Sequence, residues 1–500
     1  MSFIPLYFAL PLISAFLIPI IGKIYKPLVW IWSTIVSFIL FILALYGITV
    51  SQQVPMLVYK MGNWPPPFGI VMAFDGLSAL MVLSIAVIVF AACFFSIKYM
   101  SHYTGQWKFY TLLMLMTTGM MGIAVTGDLF NMFVFLEIAA ISSYALVAFG
   151  VDAEELEASF KYIVMGEIGG LTFLLAIALI YAKTSTLNLA DISNSLQAIR
   201  GTTFFWTVLT LFLFAFSIKA ALVPFHSWLP DAHPAAPAPI SSLLSGIFIK
   251  VLGIYTTARI VFNVFGLTRA SDPVFFNILI ALGLLSIAFA GLTALNQRDY
   301  KRLLGFSSIS QIGYIMLGFG IGNFYGIAGA LFFILAHALA KGLLFLTSGA
   351  VVYSAGTRDL EKLAGLGEQM PTTAWSWRFG FLSLAGIPPL AGFFAKMFII
   401  MGAIKAGYLW LAIVGILLSL LTLGYLLKIE NFVFMKKGKN KVGKAPFSMR
   451  IAMVFLVVLI LLVGIGFQPI MDFVVGPAAQ ALLRGIEYSH MVFGFIAASF

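Results

Sequence analysis

Apolar runs of about twenty residues or more recur along the whole of this 500-residue chain. A run of that length crosses the hydrocarbon core of a bilayer as an α-helix. Only 9% of the residues are charged and 62% are hydrophobic, whereas a water-soluble domain carries roughly 25% charged residues. Because the chain has too few polar side chains to cover a soluble surface, we predict an all-α polytopic membrane protein.

Fourteen apolar runs stand between polar breaks, and each is a predicted transmembrane helix. The runs cover residues 3–22, 29–50, 75–98, 109–126, 129–149, 158–183, 204–230, 237–263, 274–295, 303–321, 324–353, 375–403, 408–432 and 450–475. The shortest breaks lie within 109–149 and within 303–353, so one merged or split span remains an alternative.

The lysines and arginines of the loops predict the orientation of the spans. Fifteen lie in odd-numbered loops, namely Lys23, Lys26, Lys98, Lys108, Arg298, Lys301, Arg302, Arg358, Lys362, Lys436, Lys437, Lys439, Lys441, Lys444 and Arg450. Six lie in even-numbered loops and the tail, namely Lys60, Lys183, Arg200, Arg269, Lys405 and Arg484. Cytoplasmic loops are enriched in basic residues, so we predict a cell-membrane protein with cytoplasmic odd loops and both termini outside.

This orientation also accounts for the formal charge of +11 without nucleic acid as a partner. The basic run 436–444 is either the strongest topological anchor or a contact for anionic lipid of the bilayer.

Nothing in the sequence predicts a cofactor held by this chain. Cys93 is the single cysteine, so an intrachain disulfide, an iron–sulfur cluster and a cysteine-based zinc site are excluded. The polar connections 51–74, 183–203, 354–374 and 433–449 are too short to hold a soluble redox or nucleotide-binding domain. We therefore predict no metal site and place the chemistry of the chain inside the bilayer.

Two ionisable residues stand deep in predicted spans, where each charge costs a few kcal/mol or more. Glu137 lies near the middle of the fifth span, and no charge within one helical turn neutralises it. It needs a partner on another helix or a bound proton. Lys219 lies deep in the seventh span, five residues before Pro224, which predicts a helix break beside the lysine. Broken helices with an ionisable residue at the break form ion sites in transporters.

Further basic residues occupy the later spans. Lys250 is at the centre of the eighth span, and His337 and Lys341 share one face of the eleventh. Lys396 follows Pro388 in the twelfth span, where a second break is predicted. Lysine loses its proton readily when buried, and histidine titrates near neutral pH. We therefore predict a lateral proton wire through Glu137, Lys219, Lys250, His337 and Lys396, with Lys341 beside it.

The two broken spans are five helices apart, and an odd offset reverses their orientation in the membrane. This predicts two inverted five-helix repeats, spans 4–8 and 9–13. The predicted organisation is helices 1–3 over residues 1–108, the two repeats over 109–263 and 264–432, and a basic loop, helix 14 and tail over 433–500.

Four segments around these residues resemble the antiporter-like subunits of respiratory complex I, Mrp cation/proton antiporters and membrane-bound hydrogenases. They are GDLFNMFVFLEI, IKAALVPFHSWLPDAHPAAPAPISSLLSGIFIK, HALAKGLLFL and GIPPLAGFFAK. The resemblance implies a fourteen-helix core with broken helices 7 and 12, a coupled pair of Glu137 and Lys219, central relays Lys250 and His337, and a terminal Lys396. Within that family the sequence most resembles the D subunits of Mrp antiporters, or their counterparts in membrane-bound hydrogenases and related redox complexes, because Lys396 is not glutamate and no long lateral helix is expected after span fourteen.

Three secondary candidates lie near these residues. Glu167, in the sixth span, departs from the shared motif and is a second carboxylate near the wire, part of a sodium site or a packing residue. His226 belongs to the second motif. Asp128 stands at a helix end, where it is either a solvated terminus or part of a proton entrance.

The predicted function is proton translocation in a multi-subunit membrane complex, coupled to exchange of a cation such as Na⁺. The alternative is the proton- or sodium-pumping membrane arm of a redox complex of the hydrogenase or NADH:quinone oxidoreductase type, again without a catalytic centre in this chain. An assembly scaffold without transport is a third reading. The same residues serve the first two functions, so the partner subunits discriminate between them.

Overall fold

The computed structural model describes residues 3–438 and 442–498, and helices make up most of it. Twelve helices in the described ranges are long and apolar enough to span a membrane. The chain is therefore a multi-pass membrane protein, as its composition predicts. Lys439 and Lys441, two of the basic loop residues, lie outside the described residues.

The first half of the chain contains a helical hairpin, a β-hairpin and a series of long helices. The elements are α1 (Leu6–Ile24), α2 (Lys26–Gln53), β1 (Met56–Lys60), β2 (Val71–Asp75), α3 (Gly76–Tyr99), α4 (Gln106–Val125), α5 (Leu129–Val147), α6 (Ala153–Thr184), α7 (Leu189–Gln197), α8 (Thr203–Lys219), α9 (Leu229–Ala235) and α10 (Ala238–Leu243).

The second half of the chain consists of helices. Its helices are α11 (Thr256–Ala258), α12 (Pro273–Asn296), α13 (Tyr300–Ile321), α14 (Phe324–Ala355), α15 (Leu366–Gln369), α16 (Pro371–Ala385), α17 (Ala391–Lys405), α18 (Leu409–Ile429), α19 (Phe447–Ile465), α20 (Phe467–Ile470), α21 (Gly476–Leu483) and α22 (Glu487–Ala498).

Turns of π-helix extend several of these helices, and short 3₁₀ turns follow α3 or lie in the connections. Around α10 and α11 the π-helical turns are Leu244–Phe248, Lys250–Tyr255 and Arg259–Val264, which join both helices into one span, Ala238–Val264. Two more are Glu430–Met435 and Met471–Val475, and the 3₁₀ turns are Met61–Asn63, Met100–His102 and Leu360–Lys362.

The all-α prediction is wrong at one place. Strands β1 and β2 form an antiparallel hairpin in the connection after α2, with Met56 opposite Asp75. Each strand has five residues, so it is far too short to cross a bilayer, and β2 is wholly buried. Helix α7 also lies in a connection, the polar segment 183–203, and the Asn188 side chain caps it.

The membrane helices divide into a buried core and a lipid-facing rim. The span Ala238–Val264 and helices α13 and α14 are buried along their whole apolar windows, whereas α1, α2, α18 and α19 are mostly uncovered. Lipid offers no hydrophobic penalty to apolar rim side chains. The charged residues of the core helices are thereby kept away from lipid.

Both predicted helix breaks are present. Helix α8 ends at Lys219 and the chain resumes helical structure at α9, while α16 and α17 are separated by a five-residue turn. Ala221 and Gly386 hold matching left-handed positions, with φ of 55° and 86°. The following N–H groups close matching turns, Leu222 N to Ser217 O and Ile387 N to Leu382 O, both at 3.0 Å.

One end of the molecule is held together by ion pairs between connections that are distant in the chain. The pairs are Asp231 with Lys161 and with Arg302, each at 3.1 Å, and Arg358 with Glu154 at 2.7 Å and with Asp299 at 3.0 Å. These residues lie around the starts of α6, α9 and α13 and the end of α14. We call this the charged end.

The opposite end carries the β-hairpin, and we call it the hairpin end. The hairpin bridges from Met72 to Thr126, and Arg200 pairs with Asp272 at 2.7 Å. Ser489 on α22 donates to Asn194 on α7 at 2.7 Å, so the C-terminal helix covers this end. The chain connections thus divide between two ends.

The first and last residues of several elements in the first half of the chain recur 171 residues later in the second half. Helices α6 (Ala153–Thr184) and α14 (Phe324–Ala355) have the same length at this offset. The spans Ala238–Val264 and Leu409–Met435 also have equal length at the same offset. Matching backbone bridges join Asp128 to Asn188 and Asp299 to Asp359.

Candidate functional site

Glu137 and Lys219 face each other from α5 and α8. Lys219 Nζ lies 3.6 Å from Glu137 Oε1, and the two side chains are 4% and 17% exposed. Within the described chain, neither of these two atoms makes a hydrogen bond. The pair is therefore an ion pair with loose geometry, which is suited to opening and closing rather than to rigid support.

Helix α6 leaves room for this pair. A Cβ at Gly170 would lie 2.6 Å from Glu137 Oε1 and 3.7 Å from Lys219 Nζ, so only glycine fits without a shift. Glu167, one turn earlier on α6, is an electrostatic neighbour of both Glu137 and Lys219. Glu167 is thus a second carboxylate whose charge acts on the pair.

Lys250 is fully buried in the π-helical span. Its ammonium donates to the carbonyl oxygens of Ser245 and Gly246, the latter at 2.8 Å. Ser245 Oγ and Ser308 Oγ are 2.6 Å apart and tie this segment to α13. Turns of π-helix are frequent at functional sites because they displace backbone carbonyls from the α-helical ladder.

His337 and Lys341 lie on the buried helix α14 and are both fully covered. Lys341 Nζ donates to the carbonyl of Leu304 at 2.9 Å. In the described residues neither ring nitrogen of His337 has a hydrogen-bond partner, and Lys250, Lys341 and Lys396 act on it electrostatically. Three lysines of the core thus influence the buried imidazole.

Lys396 lies on α17 immediately after the second break. Its Nζ donates to the carbonyl of Leu384 at 3.0 Å, close to the end of α16, and lies 4.9 Å from the ring centre of Tyr314. An apolar cavity of about 310 Å³ adjoins it between α17 and α18. We call Lys250, His337, Lys341 and Lys396 the buried row.

The structure does not group Asp128 and His226 with these residues. Asp128 caps α5 at the hairpin end and accepts from the Asn131 N–H at 2.7 Å. Burial raises the pKa of Asp128 to about 6. His226 lies in the first break, where its ring packs 5.0 Å from that of Phe289.

Sequence reasoning missed two buried basic residues at the charged end. Lys301 was counted among cytoplasmic loop residues, but the structure buries it at the start of α13, with Nζ 2.7 Å from the carbonyl of Ala236. The predicted span began at residue 303, whereas Asp299 caps a helix that starts at Tyr300 and therefore includes Lys301. His233 is fully buried on α9, and its place in a proline-rich run gave no sign of that.

A third missed feature is a buried ion pair between Asp75 and Arg259. Two bonds of 2.6 and 2.9 Å join the carboxylate to the guanidinium. Burial alone would raise the pKa of Asp75, but Arg259 outweighs burial and holds it below its ordinary value. The partners are 184 positions apart in the chain, which hides this pair from a reading of the sequence.

The structure buries one carboxylate–ammonium pair and, on other core helices, four further basic groups. Buried groups that act on one another electrostatically titrate together, so moving a charge at one of them changes the protons held by its neighbours. Such a set can pass protons in response to a charge that arrives at one end.

Residues 126–422 match the profile of the family described as "NADH:quinone oxidoreductase/Mrp antiporter, TM". The chain belongs to this family. A second profile, "NADH-Ubiquinone oxidoreductase (complex I), chain 5 N-terminus", matches residues 61–110. The family resemblance predicted from the four motifs is thereby confirmed.

The relatives and solved structures that this chain matches align over most of their own length and most of this chain. The D subunit of the Na(+)/H(+) antiporter of Alkalihalophilus pseudofirmus is 36% identical over 429 residues, which are 85% of this chain and 86% of the relative. Two solved structures align over 98% of this chain and 99% of theirs. A chain of the Mrp complex from Dietzia sp. DQ12-45-1b has a TM-score of 0.90 at 27% identity, and one of the archaeal membrane-bound sulfane sulfur reductase has 0.89 at 32%.

Proposed function

We propose that this chain is a proton-translocating, antiporter-like subunit of a multi-subunit membrane complex and that its proton flow is coupled to Na⁺ exchange. The observation that carries the proposal is the loose pair of Glu137 and Lys219, in a chain that also buries the row of basic groups on its core helices. The similarity to the D subunit of a Na(+)/H(+) antiporter supports the choice of cation. The partners are other membrane subunits, and the chain holds no cofactor of its own.

The proposed mechanism begins at the pair. When the Glu137 carboxylate moves away from Lys219, the ammonium loses its counter-charge and gives its proton to the next base. Lys250, His337, Lys341 and Lys396 then act in turn as acceptors and donors. The backbone carbonyls that hold each lysine ammonium keep these groups in place between transfers.

The fourteen-helix architecture is part of the proposal. Twelve uninterrupted spans in the described chain, together with α8–α9 and α16–α17 as broken helices 7 and 12, give fourteen. The 171-residue recurrence and the matching turns at the two breaks support two inverted repeats over 109–263 and 264–432. Residues 1–108 and 433–500 flank them.

The orientation of the chain in the membrane is proposed from the division of its connections between the charged end and the hairpin end. The charged end gathers predicted odd-numbered loops, and the hairpin end gathers the predicted even-numbered loops. The Tyr7 ring stacks on Phe74 of β2 and α22 covers α7, so the chain begins and finishes beside the hairpin end. We place the charged end in the cytoplasm and both termini outside.

The alternative function is the pumping membrane arm of a redox complex. The specific support is the sulfane sulfur reductase chain, which is as similar in fold as the Mrp chain and higher in identity. In that case the same residues move protons, but the driving charge comes from electron transfer in partner subunits.

The test is transport by the purified native complex in liposomes. Glu137→Gln and Lys219→Met should each reduce sodium-driven proton movement at least tenfold, measured with a pH-sensitive dye, while the subunit composition stays unchanged. Lys183→Met, an exposed lysine at the hairpin end, is the control and should transport normally. Wild-type rates for the two site variants would contradict the proposal, and iron or flavin in the purified complex would favour the redox alternative.

A further inference from the structure

A cavity of about 520 Å³ opens between the α1–α2 turn and the connection from α3 to α4, apart from the buried row. Its wall includes residues of both segments, namely Gly22, Lys26, Trp30, Tyr103, Gly105 and Trp107. Trp107 packs against the end of α1, since a Cβ at Gly22 would lie 3.2 Å from Trp107 Cβ. The ring of His102, next to this wall, lies 4.8 Å from that of Tyr353 at the end of α14, so the cavity belongs to the charged end.

The two segments carry four lysines and no carboxylate. The lysines are Lys23, Lys26, Lys98 and Lys108. Up to residue 127 the only acidic residue of the chain is Asp75, and its carboxylate is bound to Arg259. The segments themselves therefore supply no counter-charge for their lysines.

Two carboxylates of another connection act on the wall of the cavity. Asp152 and Glu155, at the start of α6, both act electrostatically on Tyr103. Glu155 Oε2 accepts the Asp152 N–H as part of the capping box of α6. The four lysines outnumber these two carboxylates, so an anion is still attracted to the cavity.

Two of the lysines reach the cavity itself. Lys26 lines it. The stem of Lys108 lies along its wall, because a Cβ at Gly105 would meet Lys108 Cδ at 3.5 Å. Lys108 Nζ lies 5.7 Å from the centre of the Trp107 ring. Both lysine side chains are exposed, and each ammonium carries three N–H donors for an anion.

The surface beside the cavity is apolar. Helices α1 and α2 are mostly uncovered along their apolar windows, and Ile20, Ile24 and Leu28 are exposed there. Tryptophan is typical of the boundary between hydrocarbon and headgroups, and Trp30 and Trp107 line the cavity. The cavity thus combines a basic wall with an adjoining apolar helix surface.

We propose that this cavity binds the headgroup of an anionic phospholipid. The ammonium groups of Lys26 and Lys108 donate to the phosphate oxygens, and the acyl chains follow the uncovered face of α1 and α2. Basic pockets between membrane helices on the cytoplasmic side bind headgroups of this kind. A topological signal accounts for the lysines but not for a cavity beside an apolar surface. This inference is independent of the proposed proton translocation.

The test measures binding of a fluorescent phosphatidylglycerol to the purified, delipidated complex in detergent. Phosphatidylcholine with the same fluorophore is the reference lipid without net charge. The double variant Lys26→Gln/Lys108→Gln should bind phosphatidylglycerol at least fivefold more weakly and phosphatidylcholine as before. Lys26→Arg/Lys108→Arg should bind both lipids like the wild type, because it keeps the charge and the donors.

Lys183→Gln/Lys405→Gln is the matched control, because it removes two exposed lysines at the hairpin end. An equal loss of phosphatidylglycerol binding in this control, or no loss in the Lys26→Gln/Lys108→Gln complex, would overturn the site. Displacement by inorganic phosphate as effective as by unlabelled phosphatidylglycerol would assign the cavity to a free anion instead. A complex that loses a subunit but keeps its lipid binding would assign the cavity to a neighbouring chain.

Photo-crosslinking locates the bound lipid. Phosphatidylglycerol with a diazirine in its headgroup should label peptides that contain residues 22–30 and 103–108, as identified by mass spectrometry. The labelling should fall in the Lys26→Gln/Lys108→Gln complex. Labelling confined to other segments, such as the basic run 436–444, would contradict the proposed site.

Discussion

The pair of Glu137 and Lys219 depends on Gly170 of α6, because glycine has no side chain that would fill the space of the carboxylate. Gly170→Ala adds one methyl group 2.6 Å from Glu137 Oε1, which forces the carboxylate away from the ammonium. We expect at least a tenfold loss of coupled proton transport in a complex that still assembles, measured by dye quenching in liposomes.

Gly424→Ala is the matched control for this change. Its Cβ would meet only Leu295 Cδ2, at the ordinary distance of 3.4 Å, and it also lies on a membrane helix. Equal transport by the Gly170→Ala and wild-type complexes would show that the pair tolerates displacement, contrary to the proposed mechanism.

At the scale of elements, the pair of Asp75 and Arg259 joins the start of α3 to the π-helical turn that ends the span Ala238–Val264. Asp75→Asn leaves a buried guanidinium without its counter-charge, a change that costs about 3–5 kcal/mol in other proteins. We expect a clear fall in the melting temperature of the purified complex. Glu361→Gln, which removes the exposed partner of Arg298, should change it little.

The same pair predicts a pH dependence. Because the pKa of Asp75 is lower in the folded chain than in the unfolded chain, its stabilisation is present above the unfolded pKa of about 3.9. It is lost as the pH falls through the folded pKa. The melting-temperature difference between wild type and Asp75→Asn should therefore be constant near neutral pH and shrink in acid. A difference that grows in acid would contradict this sign.

The sequence predicts elements well where one local signal decides them. Proline after Lys219 and before Lys396 marked both breaks, since proline removes a backbone donor wherever it stands in a helix. The five-residue strands and α7 carry no long period and were missed. Burial of Lys301 and His233 depends on neighbours from three connections, and the partner of Arg259 is far away in the chain. Such features follow from tertiary structure alone.

At the scale of the whole molecule, the two ends predict opposite accessibility to a membrane-impermeant thiol reagent. Cys93 is buried, so a Cys93→Ser chain is a clean background. Arg298→Cys, at a site whose side chain is 78% exposed at the charged end, should react only after cells are permeabilised. Lys183→Cys at the hairpin end should react in intact cells. If both cysteines reacted from the same side of the membrane, the fold would be contradicted. If only the Arg298→Cys chain reacted in intact cells, the proposed orientation would be wrong.

The 171-residue recurrence has a consequence for vectorial transport. At this offset Glu137 corresponds to Ser308, while His337 and Lys341 correspond to Gly166 and Gly170. The positions that carry the buried carboxylate of the first half and the buried basic residues of α14 thus hold serine and glycine in the other half. In the proposed mechanism, the direction of proton flow along the membrane plane therefore depends on which half carries which side chains.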